Sequence, residues 1–223
     1  MNLDDATTEY DAAFRNVQGL TWLPWVGQRY SDRPIQKRLF VIGESHYYNG
    51  ETPEERHANR EKWLIYPKYT RDVVSESLVN YEWTTRTLDT IPRLLFKTTD
   101  IDRPRLWAAS AYYNLVQRMM DYKQDGSPER PTWDDYMKGW KVFGEVVKII
   151  QPSHCLFIGV TAANSFNHWI EVRLDSQATS LSQRRLAELG RDQGILKRSK
   201  NPRSLSSSNI SDCRLIGFDG TIT

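Results

Sequence analysis

The sequence predicts an α/β protein in which helices cover both faces of a central, mostly parallel, four-stranded sheet. Two short apolar runs, 37–43 and 154–159, each end at a glycine, as strands buried on both faces often do. A helical pattern over 132–150 and a proline precede the second run, and another helical pattern begins at Thr161. This order is typical of a parallel βαβ unit. We therefore expect a three-layer α/β/α arrangement formed by one domain over residues 1–223.

The other elements follow from apolar spacing and from residues that start or stop helices. Apolar side chains at helical spacing predict an N-terminal helix over 4–17, and the irregular aromatic segment 20–30 predicts a packed loop. Thr52 followed by proline predicts a helix that ends before Pro67, and 70–96 predicts one or two more helices. The two remaining strands are expected within 105–116, running into a loop at 110–114, and within 213–218.

Composition excludes few classes of function. The net charge of +2 and the isoelectric point near 8.5 are only mildly basic, so they do not by themselves indicate a nucleic-acid partner. Two cysteines are too few for a disulfide framework or a cysteine-based zinc site, and they fit a reducing cytosol. No stretch approaches the roughly 20 apolar residues needed to span a bilayer. We therefore expect a cytoplasmic protein that is neither secreted nor inserted in a membrane.

Polar side chains follow the predicted strands at the points where the strands end. Glu44, Ser45, His46 and Tyr47 come directly after the first strand, and Asn114 follows another apolar segment. Because the carboxyl ends of parallel strands meet at one edge of a sheet, where ligands bind, we expect these residues to be neighbours. Partial burial there would shift carboxylate and imidazole pKa values toward useful ranges.

The segment Gly43-Glu-Ser-His-Tyr47 after an apolar strand resembles the first motif of the uracil-DNA glycosylase superfamily. Segment 111–116, Ala-Tyr-Tyr-Asn-Leu-Val, is similar to the part of that family that supplies a stacking aromatic ring and a base-reading asparagine. The helix, proline and strand of 142–163 are similar to a later part of the family, so the resemblance covers about 20–170 in the family's order. It implies the family's fold and a monomeric DNA glycosylase that needs no cofactor.

Two features depart from the family's pattern. Ser45 stands where the best-known branch has an aspartate, and the acid comes one position earlier as Glu44. The family's final His-Pro-Ser type loop, whose histidine steadies the departing base, is not found near 219–223. Either His46 or another group replaces that histidine, or the activity is altered or absent. A modified or bulkier base, such as a phage-type modified cytosine, is therefore as good a substrate candidate as uracil, and the pathway is repair or phage defence.

The resemblance assigns roles that match the chemistry of N-glycosidic bond cleavage. That reaction passes through a positively charged, oxocarbenium-like sugar, so a carboxylate stabilises charge and orients water while a donor stabilises the departing base. We assign Glu44 to the first role and His46 to the second. A flipped base would stack on Tyr47 or Tyr113 and be read by Asn114. The expected contacts to DNA phosphates come from a basic C-terminal cluster: Arg184, Arg185, Lys197, Arg198, Lys200 and Arg203.

Other interpretations stay open at this point. The chain could be a catalytically inactive nucleic-acid-binding module of the same fold, or a hydrolase of small esters that uses Ser45 with His46. Glu44 could be a helix cap, Asn114 a turn residue, and Tyr113 a core residue. The basic cluster could be a solvated segment. Glu44 and His46 without cysteine ligands form a poor metal constellation, so we expect no metal.

Overall fold

The computed structural model describes residues 5–47, 52–123, 125–159, 161–166, 168–170 and the backbone of 214–216. The strands are β1 (Trp25–Val26), β2 (Leu39–Gly43), β3 (His46–Tyr47), β4 (Ser110–Asn114), β5 (Met119–Met120), β6 (His154–Phe157) and β7 (Arg214–Ile216). The helices are α1 (Asp11–Phe14), α2 (Pro53–Leu64), α3 (Tyr69–Val74), α4 (Arg86–Phe96), α5 (Arg103–Ala108) and α6 (Trp133–Ile150). Residues 161–166 and 168–170 are also helical, and within the described ranges no helix is both long and apolar enough to cross a membrane.

The main sheet has the order β1-β4-β2-β6-β7. Strand β2 pairs in parallel with β4 and β6, and β6 pairs in parallel with β7, so the predicted four-stranded parallel sheet is confirmed. The short strand β1 adds an antiparallel edge to β4, which the sequence did not predict. Strands β3 and β5 form a separate parallel pair of two residues each.

Helices cover both faces of this sheet. Alternate residues of a strand point to opposite faces, and along β2 Phe40 and Ile42 pack in one apolar cluster while Val41 packs in another. The first cluster includes α6 side chains such as Trp140, and the second includes Val74 of α3 together with residues of α4 and α5. The α/β class and the layered arrangement therefore follow from the alternation along buried strands.

Two long helices begin where their sequences predict. Thr52 caps α2 and Thr132 caps α6, and in each case the side chain three residues later, Glu55 or Asp135, bonds back to the cap's backbone. Such reciprocal capping satisfies backbone N–H groups that have no partner within the helix. Helix α6 ends at Gln151, which adopts the left-handed conformation with φ of 50°. Proline then follows, as predicted.

The prediction for 105–116 is wrong in detail. Asp102 caps a helix by accepting a hydrogen bond from the Arg105 amide, and proline occupies the first turn, so Arg103–Ala108 is helical although its last three residues are apolar. The strand occupies Ser110–Asn114, where we expected a loop. The N-terminal helix is also shorter than predicted, since Tyr10 provides no side-chain cap and only Asp11–Phe14 is helical.

The region 69–96 contains two continuous helical stretches, within the one or two expected. Helix α3 continues directly into a single π-helical segment, Ser75–Val79, before α4 begins. Such π segments often occur at functional sites.

One further correction concerns cysteine: Cys155 on β6 is disulfide-bonded. The cysteine content therefore does not support a reducing compartment, and a cytoplasmic location stays a prediction.

Candidate functional site

A cleft of about 990 Å³ opens at the carboxyl edge of the parallel sheet. Strand β2 contributes Gly43 and the following Glu44, strand β4 contributes Asn114, and the segment after β6 contributes Gly159. The predicted convergence of strand ends is therefore confirmed. Other lining side chains come from β3, α2, α3, the π segment, α4, α6 and the loops near Trp83 and Arg130.

Asn114 is held in the cleft by its neighbour on the same strand face. The Tyr112 hydroxyl donates to Asn114 Oδ1 at 2.9 Å, and burial keeps that phenol protonated by raising its pKa well above the usual value. Asn114 is only 4 % exposed, and its Nδ2 has no hydrogen-bond partner among the described residues. The amide is therefore oriented with its donor group available to a ligand.

Gly43 makes room for this pair. Strand pairing places Gly43 opposite Asn114, and a Cβ added to Gly43 would overlap both Asn114 Oδ1 and the Tyr112 hydroxyl. The glycine at the end of β2 is thus required by a close approach of side chains. The glycine of the strand-end motif therefore allows the Asn114 side-chain amide to take its position in the cleft.

Glu44 is fixed by a hydroxyl donor and a distant cation. The Tyr136 hydroxyl donates to Glu44 Oε1 at 2.7 Å, and Arg130 Nη1 lies 4.0 Å from Oε2. Burial, followed by the bond to Glu44, raises the pKa of Tyr136. A Cβ added to Gly159 would lie 3.3 Å from Glu44 Cβ, so the β6 end packs closely against it. The Glu44 side chain keeps 20 % exposure toward the cleft.

His46 lines the cleft but is deeply packed. Its Nε2 lies 2.9 Å from Thr70 Oγ1, and the ring makes edge contacts with Trp22 and Tyr69. Burial lowers the pKa of His46 to about 3, so the imidazole is neutral near neutral pH. A neutral ring can donate one hydrogen bond to a departing base but offers no positive charge.

Ser45 does not form a nucleophile and base pair with His46. Its hydroxyl is buried and has no hydrogen-bond partner among the described residues, while His46 bonds to Thr70 instead. A serine nucleophile needs a base within hydrogen-bond reach. The geometry therefore gives the small-ester hydrolase interpretation no support, because the Ser45 hydroxyl is also shielded from the cleft.

The two tyrosines proposed to stack on a base are placed differently. Tyr47 lines the cleft and donates its hydroxyl to the Glu129 carbonyl at 3.0 Å. Tyr113 is fully buried between Phe40 and Phe143 in the core and does not line the cleft. It points to the opposite face of β4 from Asn114, so its assignment to base stacking is wrong.

A further part of the cleft lining combines acids with aromatic rings, and we call it the acidic end. It consists of Trp63, Tyr69, Asp72, Glu76 and Trp83. The Trp83 indole donates to Glu76 Oε2 at 3.0 Å, and a hydrogen bond to Asp72 raises the pKa of the Tyr66 hydroxyl. Neither carboxylate lies within ion-pair distance of a described cation.

The lining of the cleft is thus more acidic than basic. Glu44, Asp72 and Glu76 contribute carboxylates, and Arg130 is the one Lys or Arg among the described residues that line it. Within the described residues no three His, Cys, Asp or Glu are grouped to hold a metal ion. The basic residues expected to contact DNA, between 184 and 203, lie outside the described residues, so their role stays a prediction.

Sequence reasoning missed several cleft residues. Tyr112 could have been found from Asn114, because residues two apart on a strand share a face. Tyr136 fits the apolar face of the pattern over 132–150, so that pattern alone does not reveal that its hydroxyl reaches Glu44. The acidic end gave no local signal, since its position depends on how α3 packs on the sheet.

Comparisons of the chain with protein-family models, with curated proteins and with solved structures gave no match.

Proposed function

We propose that the protein is a DNA glycosylase that binds a flipped nucleobase in this cleft and hydrolyses its N-glycosidic bond. The observation that carries the proposal is the convergence of Glu44 and Asn114 on one cleft at the ends of adjacent parallel strands. A carboxylate and a side-chain amide are the groups that this reaction and base reading require.

The hydrogen bonds of the site support distinct roles for the two groups. Tyr136 and Arg130 hold Glu44 in place while part of its side chain faces the cleft. There the carboxylate can orient water and stabilise positive charge on the sugar. Tyr112 occupies Asn114 Oδ1, which leaves Nδ2 to donate to a carbonyl or ring nitrogen of a base. Tyr47 and the aromatic rings of the acidic end offer faces for stacking.

A second candidate is a binding module without catalysis. It is favoured by the burial of His46, because that residue is neutral and already bonded to Thr70. The family resemblance assigns a histidine to the departing base, and His46 offers it no positive charge. If no other group stabilises that base, the protein would bind a flipped nucleotide without releasing the base.

Base release from DNA distinguishes these candidates. Oligonucleotides that carry uracil or a modified base would be incubated with the protein and then with a reagent that cleaves abasic sites. We expect strand breaks with at least one modified base, and a loss of about 100-fold in rate for Glu44→Gln, the range typical of removing an electrostatic catalytic group. Tyr136→Phe should lose less, because it removes only a positioning hydrogen bond.

A matched control is Glu145→Gln on α6, which removes a carboxylate paired with Lys148 away from the cleft. Its rate should equal that of the parent. DNA binding without strand breaks on any substrate would favour the binding module. Strand breaks that Glu44→Gln leaves unchanged would show that Glu44 has no catalytic role.

A further inference from the structure

The acidic end of the cleft carries negative charge that the described residues do not compensate. No described Lys or Arg lies within ion-pair distance of Asp72 or Glu76, and Arg130, which also lines the cleft, is 72 % exposed and 4.0 Å from Glu44. Lys62 lies over the Trp63 ring but does not line the cleft. An anionic ligand group would therefore be repelled at this end.

The two carboxylates are held together on one surface. Asp72 and Glu76 are four residues apart on the continuous segment formed by α3 and the π helix, and both line the cleft. Like charges at this spacing repel each other. Each is oriented by a neutral aromatic donor, Tyr66 or Trp83, so hydrogen bonding fixes the carboxylates without removing their charge.

Aromatic rings complete a wall suited to a positive group. Tyr69, which belongs to the acidic end, has its ring centroid 4.7 Å from that of Trp63 and 4.8 Å from that of His46. Cations bind over tyrosine and tryptophan faces, and the attraction grows when water is excluded. An ammonium group at this wall would be attracted both by the carboxylates and by the ring faces.

An independent polar group at the Asn114 end also indicates a ligand. Asn114 is 4 % exposed, and its amide nitrogen has no partner among the residues that the structure describes. A largely buried side-chain donor normally has an acceptor, so a ligand that offers a hydrogen-bond acceptor is expected beside Asn114.

We propose that the cleft binds a nucleobase whose substituent carries an ammonium group, with the base at Asn114 and the ammonium group at the acidic end. The nucleobase part rests on the proposed function. The preference of Asp72 and Glu76 for a positive group is independent of the proposed function, because it follows from the charges on the cleft wall.

Calorimetric titration with two series of small molecules tests the preference. The first series is benzylammonium, benzyl alcohol and benzoate, which have similar size and different charge. The second is deoxyuridine with an aminomethyl, hydroxymethyl or carboxyl group on its pyrimidine ring. In both series we expect the amine to bind about tenfold more tightly than the alcohol and the carboxylate most weakly, with the difference shrinking as salt is added.

Variants locate the effect. Asp72→Asn and Glu76→Gln should each reduce the preference for the amine several-fold and leave alcohol binding nearly unchanged, whereas Glu145→Gln should match the parent. Circular dichroism melting would check that the variants fold, and the charge and salt series on the parent protein stands without them. Equal binding of amine and carboxylate, no binding of any probe, or a preference that folded variants retain would overturn the proposal.

The base-release assay separates this inference from the proposed function. Base release without a preference for the amine would contradict the ammonium site alone. A preference for benzylammonium without base release would contradict catalysis alone and leave the acidic end as a cation site.

Discussion

Replacing Gly43 by alanine tests whether the strand-end glycine is required by the Tyr112–Asn114 pair. The added Cβ would overlap Asn114 Oδ1 and the Tyr112 hydroxyl, so at least one of these side chains must move. Overpacking a buried site costs about 1–3 kcal/mol. Breaking the hydrogen bond leaves a buried hydroxyl and amide unsatisfied, which costs about 1–3 kcal/mol more.

These two contributions lower the free energy of unfolding by about 2–6 kcal/mol together. For a domain of this size, 1 kcal/mol corresponds to roughly 2–4 °C in melting temperature, so thermal denaturation should show a drop of about 4–24 °C. Tyr112→Phe removes the hydrogen bond without the overlap, and its drop should be clearly smaller. Because Gly43→Ala would displace the Asn114 side-chain amide, this variant should also bind any base-like ligand more weakly.

Gly126→Ala provides a matched control for the loss of a glycine. Gly126 has φ of 78° and nothing within 4 Å of an added Cβ, so alanine there introduces backbone strain of about 1–2 kcal/mol and no overlap. If Gly43→Ala melts within a few degrees of the parent, or no lower than Gly126→Ala, the Tyr112–Asn114 pair does not require a glycine at position 43.

Two further predictions concern stability. The pKa of His46 is lowered to about 3 from an ordinary 6.5, so its contribution to stability is complete above pH 6.5 and is lost as pH falls toward 3. Urea unfolding should show a pH slope of up to about 1.4 kcal/mol per pH unit in that window, and His46→Gln should flatten it; an unchanged slope would contradict the burial argument. Arg71 forms a bidentate, buried pair with Asp11, so Asp11→Asn should lower the unfolding free energy by about 3–5 kcal/mol in chemical denaturation, and a change under 1 kcal/mol would contradict it.

The elements that the sequence predicted well are those with strong local signals. Strands β2 and β6 are short apolar runs bounded by breakers, and α6 has a capping box, an apolar face and a proline after its end. Because these three elements fix the parallel sheet and one covering layer, the fold class followed from them. The carboxyl end of β2 then placed Glu44 at the ligand-binding edge, whereas Asn114 reaches that edge on β4, whose bounds were predicted wrongly.

The errors came from segments with conflicting signals. The apolar run before β4 looks like a strand, but the capping residue Asp102 outweighs that preference and makes it helical. Tyr113 came from the family resemblance; because 110–114 was expected to be a loop, the alternation along a strand, which places Tyr112 on the same face as Asn114, was not applied. Asp72 and Glu76 reach the cleft only through the packing of α3 on the sheet, which local sequence does not specify.

The charge of the cleft constrains how a glycosylase reaction could proceed in it. DNA phosphates would be repelled by Glu44, Asp72 and Glu76, so only an uncharged or positively charged part of a nucleotide can enter favourably. The sugar and phosphate of a flipped nucleotide would then have to stay at the rim, near Arg130, which is exposed and adjacent to Glu44. In that position the carboxylate that repels phosphate is the same group that would stabilise a positively charged sugar, so one electrostatic feature would both select the base and favour its release.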